Sequence, residues 1–350
     1  MANILIIRLS AIGDVAMTVP VIYSAAKANP ADSFTVLTQA FLIPVFINRP
    51  KNVKVIGINT KSSEKTLRGL LRFASALVKY DFDIVLDLHD VLRTMIIRTL
   101  FRLHGKRVFV VDKARKDRAR LTDTKNKRFK QLRPVIERYA DVFRHAGLAY
   151  TESFVSLFQD SAPDFSALEI LAGAKTGKWI GIAPFAKHRG KIYPVEEMEL
   201  VMAELSDRED FTIFLFGGRG YEEAVLEQWA FEYPRVISVV GKYSLDQELA
   251  LISRLDILLC MDSANMHFAS LVGTRVLSVW GATHPYAGFY GYHQDPKDCI
   301  QLDLPCRPCS VFGQKPCSRG DWACLRITPD QIINKVLTSL DETVSDEGGH

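Results

Sequence analysis

The chain has 350 residues, 48% hydrophobic and 24% charged, with 44 Lys and Arg against 40 Asp and Glu for a net charge of +4. This length exceeds one ordinary core and suits two domains. The composition excludes a disordered or fibrous chain, and the near balance of charge excludes overall electrostatics as a guide to partners. No apolar run approaches the ~18–20 residues of a membrane span. Arg8 and Asp14 interrupt the apolar stretch near the start, so a cytoplasmic protein without a signal peptide is expected.

In chain order, short β-rich apolar runs alternate with segments whose apolar residues recur at three and four. Strands are expected over 3–9, 33–39, 53–59, 83–89 and 107–112, then over 179–185, 211–217, 235–241, 257–262 and 275–281. Helices are expected over 15–27, 67–80, 195–205 and 245–254. This alternation implies an α/β chain with parallel sheets covered on both faces. The rhythm lapses over 159–176, where Pro163 and Gly173 cluster with the following Gly177. We place the boundary there: an N-terminal domain over 1–165, a second over 166–328, and a final helix and tail over 329–350. A ligand cleft is expected between the carboxyl ends of the two sets of strands. The last six residues, "SDEGGH", read as disordered.

Two stretches carry chemistry. In "RLSAIGDVAMTVP", residues 8–20, Asp14 falls at a helix start, where capping alone would explain it. A helix start stabilises the carboxylate and makes it a weak base, yet it can still take a proton from a hydroxyl nucleophile as a bond forms. Gly13 before it permits close approach of a ligand. In "CMDSANMHFASLVGTRVLSVWGATHP", residues 260–285, a strand ends at Asp262, Ser263 and Ala264 open a helix, and His267 follows on its next turn. Backbone N–H groups at such a start bind anions, a diphosphate among them.

Together with "KIYP" at 191–194 and "GKYSL" at 241–245, these stretches resemble glycosyltransferase family 9, the ADP-heptose–lipopolysaccharide heptosyltransferases, over 3–340. The resemblance implies a GT-B fold, two Rossmann-like domains with parallel sheets facing a central cleft, and inverting transfer from a nucleotide-sugar. By position it implies that Asp14 is the general base and that Lys191 neutralises the departing diphosphate. It further implies that Asp262, Ser263 and Ala264 hold sugar and phosphate, supported by His267, with Tyr243 and Leu245 at the nucleobase. Glu222 is placed at the ribose, with Arg219 as the alternative. No cofactor is required, so the "DFD" at 81–83 reads as strand entry rather than as a metal-binding pair. One departure is "IAPFAKHRGKIYP", where Lys187, His188 and Arg189 add positive charge beside the expected phosphate site and leave the donor sugar open. The implied partners are an ADP-sugar donor and an anionic glycolipid acceptor such as the lipopolysaccharide inner core. The implied location is the inner face of the cytoplasmic membrane, where the protein would bind peripherally.

Residues 98–133 hold fourteen Lys and Arg against three Asp. The segment reads as a loop forming an electropositive funnel for an anionic acceptor. The segment over 67–80 is expected to pack on a sheet, with a membrane surface as the other reading. Cys306, Cys309, Cys317 and Cys324 form a C-x2-C-x7-C-x6-C cluster that suits structural zinc or reduced thiols. Cys260 is expected in a strand and Cys299 in a loop. A dinucleotide-dependent oxidoreductase would want G-x-G-x-x-G where this chain has S-A-I-G-D. A nucleic-acid binder using the basic run and the cysteines is the remaining alternative; it leaves Asp14 and Asp262 unexplained, and no nucleic-acid partner is expected.

Overall fold

A computed structural model describes residues 1–62, 64–166, 168 and 173–347. The chain forms two compact units, one from Met1–Arg115 with Arg133–Ser161, the other from Lys116–Leu132 with Ala162–His350.

The five apolar runs of the first unit form β1 (Asn3–Ile7), β2 (Ser33–Gln39), β3 (Val53–Ile58), β4 (Ile84–Asp87) and β5 (Arg107–Val110), all parallel, in the order β3-β2-β1-β4-β5. β1 is central, with Ile4 opposite Phe34 on one side and Ile84 on the other. Its run Ile4–Ile7 is fully buried, as a strand covered on both faces requires. Successive strands step outward in one direction from β1 to β3 and in the other from β4 to β5. The crevice beyond the carboxyl ends of β1 and β4 is therefore a topological switch point, where open α/β sheets bind ligands.

The helix expected over 15–27 is divided into α1 (Ile12–Ala16) and α2 (Val19–Ala28). Pro20 has no N–H to continue a helix and sits in the first turn of α2, and Thr18 closes the break by bonding back to the carbonyl of Val15 at 2.7 Å. α3 (Leu67–Val78) buries Leu70, Ala74 and Leu77, and α4 (Leu92–Leu103) buries Ile97 and Phe101, in one core with Phe82 and Val85. The "DFD" residues are held locally: Asp81 pairs with Lys106 at 2.6 Å and Asp83 accepts from the backbone of Asn3 at 2.8 Å.

The stretch expected to be an open basic loop has structure. It forms α5 (Arg115–Leu121), then a strap that belongs to the second unit, and then α6 (Val135–His145) of the first. Arg118 lies over the rings of Phe289 and Phe312, Phe129 packs against His284 and Tyr286, and Leu132 donates to the carbonyl of Tyr286 at 2.9 Å. Leu121 is fully buried and about half of Phe129 is covered, and apolar burial of this kind anchors the segment despite its charge.

The second unit carries β6 (Lys178–Ala183), β7 (Phe211–Leu215), β8 (Val236–Ser238), β9 (Ile257–Met261), β10 (Val276–Trp280) and β11 (Cys299–Gln301), parallel in the order β11-β10-β9-β6-β7-β8. Cys260 lies in β9, while Cys299 lies in the short edge strand β11, paired with Ser278, rather than in the expected loop. The switch point here falls between β6 and β9. The helices are α7 (Val195–Ser206), α8 (Tyr221–Glu232), α9 (Leu245–Arg254), α10 (Ala264–Val272) and α11 (Pro329–Glu347). α11 joins the core of this unit through Ile332, Ile333, Val336 and Leu340. Its last three residues take up the start of the tail expected to be disordered, and 348–350 lie outside the described residues. Among the described residues no helix is long and apolar enough to cross a membrane.

A buried charge cluster adds to the apolar attachment of α11, centred on Asp298, whose side chain is 2% exposed. Arg275 grips it through two bonds of 2.7 and 2.9 Å, and Lys335 of α11 reaches it at 2.8 Å. Burial works against the carboxylate, but these cations outweigh it and hold its pKa below the ordinary value. Asp298→Ala should lower stability by about 3 kcal/mol, measured by denaturant unfolding near neutral pH. The folded-state pKa lies below the unfolded one, so the deficit should be full above the unfolded carboxylate value of about 3.9 and shrink as pH falls through the folded value.

Candidate active site

In the first unit the switch point is organised by charge. β1 runs on through Arg8 and Leu9 to Ser10, and Asp14 sits in the first turn of α1. The Asp14 carboxylate accepts from the N–H of Ala11 at 3.2 Å, the capping role open to any acid there, and pairs with Arg8 at 2.8 Å. The Arg8 guanidinium is buried, donates to the carbonyl of Leu88 at 2.7 Å and lies over the ring of Tyr139. Asp14 keeps 22% of its side chain exposed, and Gly13 beside it is part-buried. The carboxylate is thus fixed in place and still reachable.

The turn after β4 is fixed in a similar way. Asp87 is fully buried, pairs with Arg98 at 2.7 Å, and accepts from the backbone of His89 and Asp90. His89 accepts from the N–H of Leu9 through Nδ1 at 3.4 Å; burial, then Arg8 and Lys113, push its pKa down to about 3, so it is neutral near pH 7. Beside these residues lies a cavity of about 810 Å³ lined by Ser10, Gln39, Thr60, His89 and the facing ends of α3 and α4.

In the second unit, the residues that follow β6 and β9 meet at the switch point. Lys191 lies on a single helical turn, Arg189–Lys191, and its ammonium reaches Asp262, just past β9, at 2.8 Å. The Asp262 side chain is 6% exposed and also accepts from the hydroxyl of Thr283, beyond β10, at 2.8 Å. Next to this cluster α10 begins. Its cap residue Ser263 is extended and, among the described residues, makes no side-chain cap bond and leaves its buried hydroxyl oxygen without a hydrogen-bond partner. Ala264 is the first helical residue, and His267 is buried one turn on. A lysine, an unsatisfied hydroxyl and the N–H groups of a helix start together suit a phosphate group. His188, beside this lysine turn, has its pKa lowered by burial and by Lys187 and Lys191.

Glu222, Tyr243 and Leu245 lie on the loops after β7 and β8. Glu222 is in the first turn of α8 and accepts from the N–H of Gly218 at 2.6 Å. Arg219 crosses to the carbonyl of Gly241 at 3.3 Å, which draws the two loops together. Tyr243 is part-buried, its phenol pKa raised by burial, and Leu245 opens α9.

The cysteine-rich segment braces the lysine turn, a role not apparent from spacing. Arg307 is buried and donates to the carbonyl oxygens of Gly281 and Thr283, and the N–H of Cys309 binds the carbonyl of Ala282 at 3.1 Å. Gly313 lies against the Lys191 side chain so closely that a Cβ there would stand 2.7 Å from Cγ of Lys191. Thr283, Arg307 and Gly313 therefore hold the Lys191–Asp262 cluster in place, and local pattern does not single them out beyond the "GAT" that ends at Thr283. Cys306, Cys309, Cys317 and Cys324 are free thiols lining one small cavity. At Cys317 the backbone N–H groups of Trp322, Arg319, Gly320 and Asp321 outweigh burial and lower the pKa, whereas burial raises Cys324 to about 11. Among the described residues no three His, Cys, Asp or Glu converge to hold a metal ion, so the thiols as placed do not fit one.

Comparison with known proteins accords with this geometry. Residues 70–318 match the pattern of Glycosyltransferase family 9 (heptosyltransferase). Lipopolysaccharide heptosyltransferase 3 of Escherichia coli K12 is 24% identical over 289 residues, covering 77% of this chain and 80% of that protein. Among solved structures, a family 9 glycosyl transferase from Veillonella parvula superposes with a TM-score of 0.74 at 19% identity, over 97% of this chain and 98% of that one. E. coli heptosyltransferase WaaC, solved with ADP-2-deoxy-2-fluoro heptose, gives 0.67 at 19% identity, over 96% and 99%. These likenesses give the chain the GT-B fold. With a family match spanning most of its length, the chain belongs to glycosyltransferase family 9, the heptosyltransferases.

Proposed function

We propose that this glycosyltransferase moves a heptose, with inversion, from an ADP-activated donor to a hydroxyl of an anionic glycolipid such as the lipopolysaccharide inner core. The observation that carries the donor half is the Lys191–Asp262–Thr283 cluster beside the open start of α10. The diphosphate would lie on the N–H groups of Ser263 and Ala264 with Lys191 turned toward it. Asp262, buried and anchored by Thr283, would orient the sugar. Tyr243 and Leu245 would pack the base, and Glu222 or Arg219 would meet the ribose.

In the reaction the acceptor oxygen attacks the anomeric carbon from the face opposite the diphosphate. Its proton passes to Asp14, the carbon–oxygen bond to phosphate breaks, and ADP leaves with its new charge taken by Lys191 and the helix start. The exposed cations of the basic strap, such as Lys116, Arg120 and Lys130, would draw in an anionic acceptor. No step is assigned to a metal. A structural zinc at Cys306, Cys309, Cys317 and Cys324 would require these thiols to close on their cavity. Metal analysis of the purified protein checks this: about one zinc per chain supports it, and none removes it.

Thermal unfolding with a panel of nucleotides tests the donor reading. ADP or an ADP-sugar at about 100 times its Kd should add ~2.7 kcal/mol, with UDP, GDP and CMP adding far less. Lys191→Ala should weaken ADP binding about tenfold or more, by removal of a charge-assisted contact to phosphate. Gly313→Ala should weaken it as well without touching the nucleotide, since the added methyl displaces the Lys191 stem and strains a backbone at φ +76°. Calorimetric titration of both variants with ADP reads these effects; affinity equal to wild type in both would remove Lys191 from the site. Asp14→Asn should cut turnover about 100-fold or more while ADP affinity stays within a few-fold, and normal turnover would exclude Asp14 as the base.

A further inference from the structure

Two neighbouring helices of the first unit present an unusual surface. α3 reads LRGLLRFASALV and α4 reads LRTMIIRTLFRL, and neither contains an acidic residue. They pack against each other. Their inward faces are accounted for by Leu70, Ala74, Leu77, Ile97 and Phe101. Their outward faces remain apolar: Leu67 is 61% exposed, Leu71 42%, Leu92 73% and Met95 44%. Among these stand Lys65, Arg68, Arg72 and Arg93, all exposed.

A helix side that faces only water ordinarily interleaves both signs of charge, as α6 does with Glu137, Asp141 and Arg144. Here the nearby acids are already engaged. Glu64 accepts from the backbone of Asn59, and Asp90 is paired with Arg98 and Arg115. The remaining charge is of one sign, and it is interspersed with leucine and methionine left exposed among the described residues. Large side chains entering a headgroup layer, flanked by arginines that meet lipid phosphates, are the chemistry of an interfacial helix. The cavity at the end of β1 and β4 adds direction, because its rim includes Lys65, Leu67, Leu92 and Arg93 from this same face.

We propose that the paired α3–α4 face docks on an anionic lipid bilayer, Leu67, Leu71, Leu92 and Met95 entering the headgroup layer and Lys65, Arg68, Arg72 and Arg93 meeting lipid phosphates, so that the cavity opens onto the membrane surface. The inference deepens the glycolipid-acceptor reading and rests on it for its biological sense. A polar sugar headgroup would then enter the cavity without the lipid leaving the bilayer.

Co-sedimentation of the full chain with vesicles tests this. Vesicles of phosphatidylcholine containing phosphatidylglycerol should bind the protein, and phosphatidylcholine alone should bind it about tenfold more weakly or worse. The paired substitutions Leu71→Ser with Met95→Ser, and separately Arg68→Glu with Arg72→Glu, should each reduce binding to the anionic vesicles by about tenfold or more. These positions are exposed, so the unfolding temperature should hold, and a variant with a lowered one is replaced by Leu92→Ser. Wild-type binding by every folded variant, or no sedimentation with either vesicle, overturns the proposal. The same samples are titrated with ADP. A protein that binds vesicles but not ADP keeps this docking face and loses the donor reading, and the reverse result separates the two the other way.

Discussion

At the carboxyl end of a parallel strand the chain turns into a helix start, and the carboxylates placed there determine where the neighbouring loops go. Three such acids govern this protein, and each is held by one nearby cation. Asp87 is fully buried on Arg98, Asp262 is nearly so on Lys191, and Asp14 is partly open on Arg8. Buried pairs of this kind add little net stability, because desolvation offsets the attraction. What they supply is position. Removing one partner leaves a charge in a place that cannot solvate it, so the loops have few alternative arrangements. The graded exposure divides the labour: Asp87 fixes a turn, Asp262 fixes a lysine, and Asp14 is the one of the three whose carboxylate stays partly open to solvent.

The second unit adds another layer of constraint. Lys191 is set by Asp262 from below and by the cysteine-rich segment from the side, through Gly313 against its stem and Arg307 on the carbonyls around Ala282. A segment rich in cysteine, proline and glycine has little apolar surface with which to build a core, and here it has a small cluster of its own around Ala282, Cys324 and Leu325. Whatever the state of its thiols, the segment acts on the lysine through packing and backbone bonds. The unpartnered hydroxyl of Ser263 is the complementary feature. An unsatisfied buried hydroxyl costs about 1–3 kcal/mol, and a ligand oxygen accepting from it would recover that cost.

Much of this was legible in sequence wherever the determinant is local. The central runs "NILII" and "VLSVW" give strands because a strand buried on both faces must be apolar along its whole length. Asp14, Lys191, Asp262 and Ser263 stand out in sequence because motifs keep local spacing, and the fold brings the last three to one switch point. What spacing misses is partnership across the chain. Only the "GAT" that closes the Asp262 stretch points to Thr283, and nothing near Lys191 announces Gly313. The break between α1 and α2 was hidden because the apolar periodicity runs through it, while the hydrogen-bond deficit at Pro20 does not show as polarity. The basic strap misled for the opposite reason. Its charge is conspicuous, but Arg118, Phe129 and Leu132 decide where it lies.

That strap also bears on how the chain is made. Residues 116–132 belong with a surface around Tyr286 and Phe312 that lies roughly 150 or more residues further along. At ribosomal speeds of ~5–20 residues per second they emerge on the order of ten seconds before that surface exists. The first unit can assemble its sheet in the interval, since all five of its strands precede the strap. The basic segment must then wait as an open loop tethered at both ends, α6 already having joined the earlier unit. Its charge is suited to that wait: seven cations against two acids over 116–132 keep an unsatisfied segment soluble and self-repelling until its aromatic dock is synthesised. The charge of this segment thus protects the nascent chain while it is incomplete.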